Sequence, residues 1–225
     1  MSDARRNYVV VEGCDGVGKT TMLKALAKSL MDDGHCFQLT KEPGGPRALS
    51  QEWNCSSFDY PFGAMYDGFR ELCVNNPQIP QLAKRALYKA DSFYNWLAVT
   101  KPAMDLGLTV ISDRSWVSDI AYGAALAGVS AEALFQFNTA LVPEQAALTR
   151  VIYLDCPEDV REARLAVNIM DHADKIGIEA RRRICQEYRK VLDKHIYDYV
   201  VIDTNQPLEN IVKAAKEFVY VNCTK

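Results

Sequence analysis

Residues 13–20 read Gly13-Cys14-Asp15-Gly16-Val17-Gly18-Lys19-Thr20, a full match to GxxxxGK[ST], and they lie between a β-branched run at 8–12 and a helically periodic stretch at 20–31. Strand, glycine loop and helix in that order is the context the motif requires. Within 20–31, Leu23, Leu26, Ala27 and Leu30 recur on one helical face. Glycines let backbone N–H groups converge on phosphate oxygens, and the helix N-terminus adds partial positive charge. Gly13, Asp15, Gly16, Val17, Gly18, Lys19, Thr20 and Thr21 are therefore the expected triphosphate-binding residues. Lys19 is expected to reach the β and γ phosphates and Thr20 to ligate a metal, so ATP and Mg²⁺ are the expected cofactors.

Four further apolar runs read as strands: 36–40, 108–112, 151–154 and 199–202. Amphipathic stretches at 82–106, 131–141, 158–167, 179–195 and 208–220 alternate with them. That alternation predicts an α/β, three-layer P-loop NTPase fold: a five-stranded parallel sheet with helices on both faces. At 225 residues, 48% hydrophobic and 24% charged, the chain fits a single compact domain spanning 1–225. A formal net charge of −3 argues against a general nucleic-acid binder. No segment reaches membrane-spanning length, so a cytoplasmic protein with no membrane partner is expected. The seven cysteines are odd in number and widely spaced, with no CxxC pair, and read as reduced thiols.

Ligands in such sheets bind beyond the carboxyl ends of the strands. Asp113 and Arg114 close the third predicted strand, where Asp113 can hold a Mg²⁺-bound water and Arg114 a substrate phosphate, or the two can form a structural ion pair. Thr40-Lys41-Glu42-Pro43-Gly44-Gly45 forms an open turn after the second strand. Asp15 is repelled by bound triphosphate unless it meets a hydroxyl or a metal, which turns it toward a second substrate.

Taken together, VVVEGCDGVGKTT at 9–21, TKEPGG at 40–45, SDRSWVSDIAYGAA at 112–125, IYLDCPEDV at 152–160 and VIDTNQPLENI at 201–211 resemble the thymidylate kinase family over nearly the whole chain. The resemblance implies a nucleoside monophosphate kinase and a homodimer. By position it assigns Lys19 and Thr20 to ATP and Mg²⁺, Asp15 to the acceptor sugar 3′-hydroxyl, Arg114 to the acceptor phosphate, and Arg70 to a place beside the acceptor. Tyr88 would stack on the base, and Tyr122 would pack on the deoxyribose. Glu42 and Ser118 complete the acceptor side. A mobile lid at about 164–180 would clamp the transferring phosphoryl group through Arg164, with Lys175 where the family usually has an arginine. Arg181, Arg182 and Arg183 are reserve candidates.

Departures from the family concern the base. Ser92 stands where the family has an arginine donating to thymine O4, and Asp119 where it has Ser, Thr or Asn near N3. An ionised carboxylate only accepts hydrogen bonds, so Asp119 also suits cytosine, guanine or a modified pyrimidine such as a 5-hydroxymethyl one. DRSWVSD also resembles a segment of deoxynucleoside kinases. Residues 46–69 read as an aromatic-rich inserted loop.

Three functions are thus set against each other. The first is ATP-dependent phosphorylation of a deoxynucleoside monophosphate, dTMP to dTDP favoured. The second is a deoxynucleoside kinase, whose sugar hydroxyl needs a base such as Glu42. The third is a non-catalytic P-loop regulator, against which stands the lack of an NKxD motif or a switch-like threonine loop.

Overall fold

The computed structural model describes residues 7–53, 67–68, 71, 76, 78–167 and 176–221. Tyr8–Glu12 forms β1, its β-branched centre buried at every position. The glycine loop follows and opens into α1, Lys19–Asp32, which buries Met22, Leu23, Leu26, Ala27 and Leu30 along one face. Next come β2, Phe37–Lys41; α2, Gly45–Trp53; and α3, Gln81–Asn95. α3 continues through a π-helical turn, Trp96–Thr100, into α4, Lys101–Asp105. Beyond it lie β3, Thr109–Asp113; α5, Trp116–Ala127; α6, Ala131–Leu141; and α7, Pro143–Leu148. The last elements are β4, Thr149–Asp155; α8, Glu158–Val167; α9, Ile178–His195; β5, Tyr199–Asp203; and α10, Leu208–Tyr220.

The strands lie in the order β2-β3-β1-β4-β5, every neighbouring pair parallel. This is the P-loop NTPase sheet, with the five strands found within two residues of their expected ends. α1 packs on α10, while α5 packs on α3, α6 and α9. Because successive strand residues face opposite sides, the complete burial of β1 and β3 means that both sheet faces are covered. Register brings Val11 beside Asp113 and Lys41 beside Asp113, so the ends of β1, β2 and β3 meet at one edge.

Three features go beyond the sequence reading. Residues 46–53 of the expected inserted segment belong to α2, with Leu49 and Ser50 buried, and the rest of 46–69 lies largely outside the described residues. A helix not anticipated from periodicity, α5, follows the Asp-Arg pair. Ser115 caps it by accepting from Val117 N at 3.1 Å, and Gly128 ends it at φ 66. Finally, Cys14 and Cys185 are joined as a disulfide with Cα atoms 6.1 Å apart, against the expectation of reduced thiols throughout. The fold alone brings these two residues together, across a separation of 171 positions. Among the described residues no helix is long and apolar enough to cross a membrane.

Candidate functional site

The turn between β1 and α1 is shaped by positive φ angles at Gly13 (143), Gly16 (85) and Gly18 (92). A Cβ on Gly16 would come within 3.0 Å of the Arg161 carbonyl oxygen and closer still to the Leu165 and Arg161 side chains, so only glycine fits there. α8 thus closes against the phosphate loop. Lys19 folds back over the loop, its Nζ donating to the carbonyls of Gly13 at 2.9 Å and Cys14 at 3.0 Å. Burial, with Arg114 nearby, pushes the Lys19 ammonium down to about 8.

Arg114 comes to the same place from the end of β3. Its Nη1 lies 3.4 Å from the Gly13 carbonyl, 3.1 Å from Tyr188 Oη and 3.4 Å from Ser118 Oγ, and its Nη2 pairs with Asp15. Its backbone φ of 68 is the sole positive value at a non-glycine among the described residues. A left-handed bulky residue costs of order 1–3 kcal/mol and is tolerated where neighbours over-determine it. The Tyr122 hydroxyl donates to the other Asp15 oxygen at 3.0 Å. Burial opposes ionisation of Asp15, but Arg114 and Lys19 outweigh it and hold the carboxyl below its usual range.

Behind them, Glu12 is fully buried and accepts from Ser115 Oγ at 2.7 Å, Tyr188 Oη at 3.1 Å and Ser118 Oγ. Burial raises its pKa even so. Ser118 is therefore turned toward this carboxylate and Tyr188. Neither Glu12 nor Tyr188 was singled out from sequence. Tyr188 was visible only as part of the buried stripe of α9, with Ile184, Val191 and Leu192.

At the edge shared by β1, β2 and β3, Thr20 Oγ1 donates to Glu52 Oε1 at 2.7 Å, and Lys41 pairs with both Glu52 and Asp113. Asp113 is 3% exposed, and its Oδ1 has no hydrogen-bond partner. Thr21 is exposed on α1. Thr20 and Asp113, the expected metal residues, thus stand in one cluster, to which α2 adds the unanticipated Glu52.

The expected acceptor side splits into two groups. Ser92 donates to Glu42 Oε2 at 2.7 Å and Asn95 Nδ2 to Glu42 Oε1 at 3.3 Å, fixing a carboxyl that burial pushes up to about 8 despite the Ser92 bond and Lys89. Asp119 instead forms an ion pair with Lys89 at 3.1 Å and approaches Arg85 at 3.6 Å. Lys89 also donates to Asn138 Oδ1 at 3.0 Å. Tyr88 lies beside the Arg85 guanidinium, 4.8 Å from ring centroid to Cζ. A charged Lys89, 3% exposed, is a departure no periodicity reveals.

Arg164 sits against the loop from α8, donating to Val17 O at 3.4 Å and to Thr204 through Oγ1 at 3.0 Å and the carbonyl at 2.8 Å. Arg181 and Arg182 are engaged with Glu162 and Glu158, tying α9 to α8. Arg70, Lys175 and the centre of the expected lid lie outside the described residues.

Among known proteins, the thymidylate kinase family model matches residues 47–215. A probable thymidylate kinase of Thermococcus gammatolerans is 32% identical over 194 residues, 83% of this chain and 83% of its own length. Thymidylate kinases of Nitratidesulfovibrio vulgaris and a Synechococcus species are 31% and 30% identical, covering 92% and 90% of this chain and 88% and 90% of their own. Matches of that extent, over a glycine loop, a strand-end arginine and a sheet edge in the geometry just described, have one reading: the chain belongs to the thymidylate kinase family.

Proposed function

We propose that this chain transfers the γ-phosphoryl group of ATP to a deoxynucleoside monophosphate, with dTMP giving dTDP as the leading reaction. The observation that carries the reading is the convergence of two cations from separate elements on one carbonyl: Lys19 Nζ at 2.9 Å and Arg114 Nη1 at 3.4 Å from Gly13 O. Ionised phosphate oxygens are stronger acceptors than a carbonyl and compete well for these donors.

In this reading residues 13–21 cradle the triphosphate and Arg114 holds the acceptor phosphate. One acceptor oxygen attacks the γ-phosphorus in line, the bond to the bridging oxygen breaks, and ADP leaves. The attacking oxygen is already anionic, so no side chain has to remove a proton. Lys19, Arg114, Arg164 and Lys175 supply positive charge around the transferring group, the kind of preorganised stabilisation that dominates such reactions. Asp15 accepts the sugar 3′-hydroxyl, beside Tyr122. Tyr88, Ser92, Ser118, Asp119, Glu42 and Arg70 remain the acceptor-side set.

The oxygens of Thr20 and Asp113, among them a buried carboxylate oxygen with no hydrogen-bond partner, suit Mg²⁺, which favours oxygen ligands and keeps several waters. Thr20 and, through water, Asp113 would hold Mg²⁺ there, and it would supply positive charge against the phosphates of ATP. Homodimerisation and cytoplasmic action belong to the same proposal, and light scattering reads the first.

The test is an ATP-consumption assay across dTMP, dUMP, dCMP, dGMP and the unphosphorylated deoxynucleosides. Turnover of dTMP is expected. Turnover of nucleosides alone would transfer the assignment to a deoxynucleoside kinase, for which Glu42, with its pKa near 8, is the available base.

A further inference from the structure

Glu52 belongs to none of the segments that carry the family resemblance, yet α2 brings it to the centre of the Thr20, Lys41 and Asp113 cluster. Three observations meet there. A threonine hydroxyl that gives a lone pair to a cation must point its O–H elsewhere, and Thr20 Oγ1 donates its hydrogen bond to Glu52 Oε1 at 2.7 Å. The second Glu52 oxygen and Asp113 Oδ2 already hold a compact cation between them, the Lys41 ammonium, 3.0 Å from Asp113. Asp113 Oδ1, on a side chain only 3% exposed, has no hydrogen-bond partner and so offers an open acceptor for a metal-bound water.

We propose that Glu52 is a residue of the divalent-cation site: it orients Thr20 by accepting the hydrogen bond of its hydroxyl and, with Asp113, holds waters of the cation's hydration shell. This rests on the nucleotide-kinase reading above. Lys41 then competes with the cation for the same carboxylates, so Glu52 and Lys41 have opposite effects on metal affinity.

The experiment titrates Mg²⁺ into each variant with a fluorescent, non-hydrolysable ATP analogue, and repeats the nucleotide titration in EDTA. Mn²⁺ paramagnetic resonance, with the same analogue, provides a direct count of bound metal. Glu52→Gln keeps the shape of the side chain and removes its charge. It is expected to raise the half-saturating Mg²⁺ concentration about tenfold while affinity in EDTA stays equal or improves, about 1.4 kcal/mol placed on the metal step alone. Lys41→Gln is expected to leave the Mg²⁺ requirement unchanged or lower it.

If Glu52 only anchored Lys41, both variants would weaken the site alike, and that result overturns the proposal. An unchanged Mg²⁺ dependence in Glu52→Gln overturns it too, with the kinase reading intact. Absence of Mg²⁺ enhancement in the unmodified chain removes both. Glu52→Asp serves as the second variant should Gln disturb α2, and it should recover part of the metal affinity.

Discussion

Asp15 and Arg114, 99 positions apart in the chain, form an ion pair between the phosphate loop and the end of β3. The pair ties a carboxylate that would be repelled by a triphosphate to the guanidinium assigned to the acceptor phosphate. Arg114 adopts φ 68 to make it, so backbone strain and side-chain charge fall on the same residue.

Replacing Arg114 separates those two roles. Arg114→Gly relieves the left-handed strain, while Arg114→Ala retains it, and both remove the guanidinium. Both are expected to lower kcat/KM for dTMP by about 100-fold or more, the scale of losing one oriented donor to a developing charge. The glycine variant should melt above the alanine variant. Unchanged acceptor kinetics in the glycine variant would remove Arg114 from the site.

Gly16→Ala tests the closeness of α8 to the loop. The new Cβ would meet the Arg161 carbonyl at 3.0 Å, a main-chain atom that cannot swing aside, at a backbone φ of 85. A loss of about 1–3 kcal/mol in stability is expected in urea unfolding. ATP affinity should fall in parallel, read by fluorescence titration, and native affinity in this variant would contradict the packing of α8 described above.

Glu42 makes stability depend on pH. Its folded pKa, near 8, lies above the ordinary 4.5, so between those values the folded chain keeps a proton that the unfolded chain releases. The group's contribution is complete below about pH 4.5 and is lost as pH rises toward 8, with a slope approaching 1.4 kcal/mol per pH unit. Glu42→Gln, which stays neutral, should flatten urea stability across pH 5 to 8. Parallel profiles for the two proteins would show that Glu42 titrates normally.

Asp119→Asn bears on base reading. The substitution leaves the buried Lys89 with Asn138 as its remaining polar partner in the cluster, Arg85 standing beside it, and breaking a buried pair costs roughly 3–5 kcal/mol. A fall of that order in unfolding free energy is expected. The ranking of dTMP against dCMP should also move, and a ranking that survives the loss of stability would return Asp119 to a structural ion pair.

The phosphate loop was legible because each of its features is local. Glycine spacing, a preceding β-branched run and a following apolar stripe all lie within about 25 residues. The sheet was legible because buried parallel strands must be apolar throughout. α5 was not. Trp116, Val117, Ile120 and Ala121 are buried together with Ser118 and Gly123, so its apolar positions do not trace a simple stripe. Glu52, Lys89 and Tyr188 were missed for a related reason: each is a polar group whose partners come from elements remote in sequence.

By itself, then, the order of residues determined the five strands, most of the helices between them and the glycine loop, since these follow from periodicity and turn chemistry over short distances. Tertiary structure alone decided that Arg114 reaches Asp15, that Glu52 meets Thr20 and that Asp119 is matched by Lys89. Charges interact through space with an energy set by separation and burial, and neither quantity is written in chain position.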